Sequence, residues 1–116
     1  MDTKTSVADA LSNAVTSAAL GQRVALVMPG RSSALEALRL MIDAALDLNV
    51  SKFCRAHGNY RIEFSGNGVL RVFGEVDECR GWSADLVYAH DALTLQQMGV
   101  VTPMIATTAG QIVRFQ

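Results

Sequence analysis

Three observations predict a layered α/β domain with a mostly parallel sheet, helices packed on it, and a β-hairpin inserted among the parallel strands. Residues 24–28 and 85–89 hold continuous apolar runs of strand length, Val24-Ala25-Leu26-Val27-Met28 and Leu86-Val87-Tyr88-Ala89; unbroken runs suit strands covered on both faces. Segments of helical periodicity fall between or before such runs. Tyr60, Ile62 and Phe64 alternate with Arg61 and Glu63 ahead of Ser65-Gly66-Asn67-Gly68, a half-exposed strand followed by a tight turn.

In chain order, Val7, Leu11, Val15 and Ala18 mark the buried stripe of a helix over 5–20, which ends at Gly21, a residue suited to the C-terminal cap. The strand over 23–28 is broken by Pro29-Gly30. Ser33 with Glu36 fits a capping box, and Leu35, Leu38, Met41, Ile42, Ala45 and Leu46 share one face of a second helix over 33–48. A short strand is expected over 50–55, and the hairpin returns over 69–73. Residues 75–83 read as a polar loop in which Glu75, Asp77 and Glu78 form a solvated acidic patch. A short helix over 94–98 starts at Thr94. Residues 104–107 and 112–115 read as two strands around Ala109-Gly110. Strands alternating with helices imply a sheet in layers with right-handed crossovers.

The chain has 116 residues, half of them hydrophobic and 18% charged, with a formal net charge of −1. That length suits a single domain over 1–116, and the charge balance argues against coating nucleic acid through phosphate neutralisation. A nucleic-acid role would need Arg23, Arg31, Arg39, Lys52, Arg55 and Arg61 on one face. Cys54, Cys79, His57 and His90 do not make a zinc spacing; no metal or cofactor is expected, and the thiols are expected free. The residues at the start do not read as an export signal, and no apolar run has the length of a membrane span. The expected location is the cytoplasm, without membrane involvement.

Several segments, in order, resemble the ATPase domain of the phage terminase large subunit, a RecA-like P-loop NTPase. Lys4-Thr5-Ser6 resembles the end of a Walker A motif. Gly21-Gln22-Arg23 with the strand that follows and Pro29 resembles that family's second strand. Residues 60–68 resemble its "I-x-F-x-N-G" hairpin, Arg80-Gly81-Trp82-Ser83-Ala84-Asp85-Leu86-Val87 its "R-G-x-x-A-D-L-V" run into the Walker B strand, and residues 110–115 its coupling-motif strand. The resemblance implies a partial RecA-like core and a phage or prophage origin in a bacterial cytoplasm.

Departures from the family pattern decide the expected activity. The resemblance starts at the Lys-Thr pair, so the glycine loop that cradles phosphate is not matched, and Lys4 is expected to be a flexible lysine. The Walker B strand leads into His90-Asp91 where the family has Asp-Glu. On the direct alignment His90 replaces the Mg²⁺ ligand, a poor exchange because Mg²⁺ prefers oxygen; shifted by one, Asp91 is the ligand and Ala92 replaces the Glu. The preferred reading of this pair is a polar strand end with Asp91 as a cap, the other being an unrelated acid–base pair. Lys4, Thr5, Arg31, His90 and Asp91 are thus the nucleotide-site candidates, Arg31 because it follows a strand where α/β sheets bind ligands. Trp82 is read as packing over the sheet edge.

In the family's sheet the coupling strand lies between the Walker B and P-loop strands. Without the latter, Ile112, Val113, Arg114 and Phe115 form an open edge, which must be covered or paired, either with a second copy or with a phage or host protein. The expected function is accordingly a non-catalytic, terminase-like pseudo-ATPase acting through protein–protein interaction or self-assembly. The alternatives are an ATPase subunit completed in trans by a partner and a nucleic-acid-binding module.

Overall fold

The computed structural model describes residues 5–56 and 59–116; Lys4 and His57 lie outside them. The first helix, α1, spans Val7–Ala19 and is capped by Ser6, whose Oγ accepts from the Asp9 N–H at 3.2 Å. Its buried face is mostly alanine: Ala10, Leu11, Ala14, Val15 and Ala18. Gly21 closes the helix with φ +105°, donating its N–H to the Ala18 carbonyl at 3.0 Å. Strand β1 follows at Arg23–Val27, and its four apolar residues are completely buried.

Helix α2 spans Arg31–Ala45, two residues earlier at its start than the sequence pattern predicts. The expected Ser33–Glu36 capping box does not form. Gly30 is the N-cap, and the Ser33 hydroxyl instead donates to the Gly30 carbonyl at 2.9 Å. Pro29-Gly30 turns the chain so tightly that the helix begins at once, and Ser33 falls inside its first turn. At the other end Leu46 is 67% exposed, because the helix stops before that face is completed.

Strands β2 (Val50–Ala56), β3 (Asn59–Phe64) and β4 (Val69–Phe73) form an antiparallel meander. The expected hairpin joins β3 to β4, with Asn67 at φ +69° and the Phe64 N–H bonded to the Gly68 carbonyl at 2.9 Å. The predicted polar loop after β4 contains a short 3₁₀ turn, Val76–Cys79, whose last residue is buried. Strand β5 is Leu86–His90, helix α3 is Leu95–Val101, and β6 is Gln111–Phe115. Thr94 caps α3 in a reciprocal capping box with Gln97. The strand expected over 104–107 is instead the 3₁₀ helix Thr102–Ile105 and a turn. Pro103 at its start sets a helical φ and offers no N–H to a ladder.

The sheet order is β2-β3-β4-β1-β5-β6. β1 pairs in parallel with β4 and β5, and β5 with β6, so the sheet is mixed and mostly parallel, with three helices against it. Alternation along the strands divides the core in two. Val24, Leu26, Ile62, Leu70, Val72, Tyr88 and Phe115 face α1 and α2. Ala25, Val27, Phe73, Val87 and Ala89 face α3 and the 3₁₀ turns, with Cys79 and Met104. Among the described residues no helix is long and apolar enough to cross a membrane.

Gly68 sits where α1 meets the hairpin: a Cβ there would collide with the Ala18 carbonyl. Gly68→Ala is expected to lower stability by about 2 kcal/mol or more, since backbone must move to admit it; urea unfolding measures the loss. A second test concerns Cys79, whose thiol is pushed up to about 12 by burial from an ordinary value near 8.5. Below that ordinary value both folded and unfolded thiols keep their protons. Above it only the unfolded thiol ionises, so folding loses up to about 1.4 kcal/mol per pH unit until the folded thiol titrates. Cys79→Ala is expected to flatten the fall in stability between about pH 8.5 and 10; an unaltered slope would show that the thiol is not the cause.

Candidate functional site

Strands β1, β4, β5 and β6 run parallel, so their C-terminal ends share one rim of the sheet, the rim where α/β folds ordinarily bind ligands. Four of the five nucleotide-site candidates lie along it. Thr5 reaches the end of β6, where it forms an isolated parallel bridge with Phe115 and its carbonyl accepts the Gln116 N–H at 3.2 Å. From the other side, the Asp91 N–H donates to the Phe115 carbonyl at 2.7 Å. Thr5 and the His90-Asp91 pair therefore flank the last residues of β6.

The imidazole of His90 is engaged locally. Its Nδ1 accepts from the Ala92 N–H at 3.0 Å, which puts the neutral ring's proton on Nε2, and the ring stands edge-on to Phe115 with centroids 5.3 Å apart. This is a strand-end cap formed by histidine. Thr94 caps α3, as expected from sequence. The Asp91 carboxylate lies 4.0 Å from the Arg114 guanidinium, which also donates to the carbonyls of His90 and Leu93, each at 3.1 Å. Arg114 thus staples the β5–α3 connection.

Arg31 opens α2 farther along the rim. Its guanidinium meets Glu75 at 2.8 Å. Gly74 makes this possible, because a Cβ at that position would press on the Arg31 backbone. An anion at Arg31 would have to compete with the Glu75 carboxylate. A cleft of about 270 Å³ beside it is lined by Met28, Pro29, Gly74, Glu75, Asp77 and Gln97 among others, an acidic lining unsuited to phosphate. The acidic loop is also more than solvated, since Glu75 pairs with Arg31 and Asp77 with Arg80 at 3.5 Å.

The four edge candidates turn their side chains into their own domain. Ile112 packs on the α3-side core, Val113 on the α1–α2 core, Arg114 on the β5–α3 connection, and Phe115 is fully buried. What the edge presents is backbone. Gln111 and Phe115 bond toward β5 while Gln116 bonds outward to Thr5, and the alternation turns the Ile112 and Arg114 N–H groups outward. Among the described residues, Thr5 lies beside the C-terminal end of this edge.

The basic residues of the nucleic-acid alternative gather only in part. Arg31 is on the rim and Arg39 lies on α2 beside Glu36, 3.9 Å away. Arg23 and Arg61 do come together, with Trp82 and with Arg71, in a shallow cavity of about 650 Å³ on the uncovered part of the sheet. Arg71 escaped the sequence reading. The hairpin turn was the available signal, because its register sets Arg71 opposite Arg61. Trp82 lies on the face of the sheet rather than over its edge, edge-on to Phe73 with centroids 5.8 Å apart and with the Arg23 guanidinium 4.4 Å from its ring centre.

Among the described residues no group of three His, Cys, Asp or Glu could hold a metal ion. Comparison with protein-family models, with curated proteins and with solved structures yields no match.

The staple makes a direct prediction. Arg114→Met keeps the aliphatic stem but removes the donors to His90 and Leu93, and is expected to cost about 1–2 kcal/mol. Thermal melting measures the loss, and hydrogen exchange is expected to rise first in residues 90–94.

Proposed function

We propose that this chain is a non-catalytic relative of the terminase ATPase, of phage or prophage origin, which works through protein–protein contact at the open edge of its sheet. The observation that carries this reading is β6. Among the described residues it has one strand neighbour, β5, and Thr5 bridges to its last residue. The outward N–H groups of Ile112 and Arg114 form a short template for another strand, and exposed edges of this kind pair by β-augmentation. A second copy of the chain is the simplest occupant, since its own edge offers the same groups.

The reading of catalysis rests on the rim. The motif order resembles the terminase ATPase, and the strand like that family's Walker B strand ends at His90 and Asp91. An imidazole whose Nδ1 is engaged by Ala92 is a poor replacement for a carboxylate that must hold Mg²⁺. The neighbouring Asp91 faces Arg114, whose positive charge would oppose a metal ion beside it.

Calorimetry with ATP and ADP, with and without Mg²⁺, tests the first half of the proposal, and light scattering over a concentration series tests the second. No nucleotide binding and a dimer or larger are expected, with exchange at the Ile112 and Arg114 amides slowing as concentration rises. Mg²⁺-dependent ATP binding would replace this reading by a nucleotide-binding subunit completed in trans. A monomer at every concentration with fast exchange at both amides would refute self-assembly.

A further inference from the structure

The part of the sheet left uncovered by α3 carries an arrangement of charge that folding alone does not account for. Arg61 and Arg71 are direct cross-strand partners in the β3–β4 hairpin. Like charges placed opposite one another on a sheet face are destabilising. Arg61 is partly compensated: its Nε donates to Glu63 at 2.7 Å, which holds the Glu63 carboxyl below its ordinary range and raises the Arg61 guanidinium. Arg71 has no carboxylate beside it among the described residues. Its guanidinium carbon lies 4.7 Å from the Phe73 ring centre and 6.0 Å from that of Trp82, and its Nε is buried without a hydrogen-bond partner. Arg23 also approaches Trp82, its guanidinium carbon 4.4 Å from the ring centre. Its Nε is held by the Ser83 carbonyl at 3.0 Å, and Asp85 is engaged by the Arg23 backbone N–H, also at 3.0 Å.

Three guanidiniums and one carboxylate therefore line the cavity of about 650 Å³. Lys52, opposite Glu63 in the β2–β3 ladder, adds to the positive side. The aromatic rings under Arg23 and Arg71 keep the planar forks in place, so little side-chain freedom is lost when an oxyanion is bound. Ser51, Asn59 and Asn67 on the wall supply the neutral hydrogen-bonding groups that peptide amides require.

We propose that this cavity is a docking site for a short acidic segment of a partner protein, with two neighbouring carboxylates received by Arg23 and Arg71. Charge complementarity selects the occupant. A nucleic-acid strand fits less well on two counts. The ring of Trp82, which would have to stack a base, already carries Arg23 at 4.4 Å. Glu63 also lines the cavity, where a continuous phosphate backbone would meet it. The proposal is independent of the terminase reading and uses neither the strand-end rim nor the β6 edge.

Trp82 is the chain's only tryptophan, so intrinsic fluorescence reports on the site directly. The probe is an acetylated and amidated octapeptide of alternating glutamate and serine; a thymidine pentanucleotide without terminal phosphates, which carries the same number of charges, and inorganic phosphate are the comparisons. A saturable change in Trp82 emission is expected with the peptide, and at least tenfold weaker binding with the other two. Arg71→Met and Arg23→Met are each expected to weaken peptide binding at least tenfold. Arg39→Met, which removes the same charge from α2, is expected to leave it unchanged. Arg71→Met is expected to melt no lower than the parent chain, because the like-charge pair is gone; should it fail to fold, Arg23→Met carries the test. The proposal is overturned by the absence of a saturable response, by equal losses in the Arg71 and Arg39 variants, or by tighter binding of the oligonucleotide, which would assign the face to nucleic acid.

Discussion

Strand β1 is the element on which the rest of the structure depends. Its ladder to β4 on one side and β5 on the other uses its backbone groups in both directions, and Val24, Ala25, Leu26 and Val27 are wholly excluded from water. A peptide group buried this deeply must be bonded, so β1 tolerates no slip: a shift of one residue would exchange the side chains of its two faces. The α1–α2 layer packs on Val24 and Leu26, the α3 layer on Ala25 and Val27. The alanines of α1 continue the same logic, since small side chains let the helix come down onto the sheet until the Ala18 carbonyl rests against Gly68.

The two layers cover the sheet unequally, and this inequality creates one of the two proposed contact surfaces. Helices α1 and α2 span one face. On the other, α3 and the 3₁₀ turns reach β1, β5 and part of β4, leaving the outward residues of β3 and the start of β4 only half-buried. Charged side chains occupy that opening, including the opposed Arg61 and Arg71. The β6 edge is open for a different reason: among the described residues the sheet ends there, with Thr5 bridging to its last residue. One surface offers side-chain charge and the other backbone hydrogen bonds, so they suit different contacts.

Much of the fold was legible because the strongest signals were local. The continuous apolar run at β1, the buried Leu11, Val15 and Ala18 of α1, the turn at residues 65–68 and the Thr94 cap each depend on neighbours within a few positions, and each forms as read. The misreadings share a cause. Ser33 and Glu36 have the spacing of a capping box, yet Gly30 starts the helix before them. Residues 104–107 are apolar enough for a strand, but Pro103 and the need to close over the α3-side core turn them into a 3₁₀ helix. A short apolar run has no period long enough to separate the two outcomes.

The sequence by itself determined most element types, the hairpin and the division of strands into buried and half-exposed, because these follow from backbone preference and side-chain period. It also identified the strand-end candidates, since polar residues that follow apolar strands must lie on the rim. The tertiary structure alone decided which of them meet. Arg31 finds Glu75 through the close approach at Gly74, His90 turns back on Ala92, and Arg23 joins Arg71 and Trp82 from segments some fifty and sixty positions away. Pairings at that separation depend on strand order and register, which are properties of the whole sheet, and no local pattern in the chain encodes them.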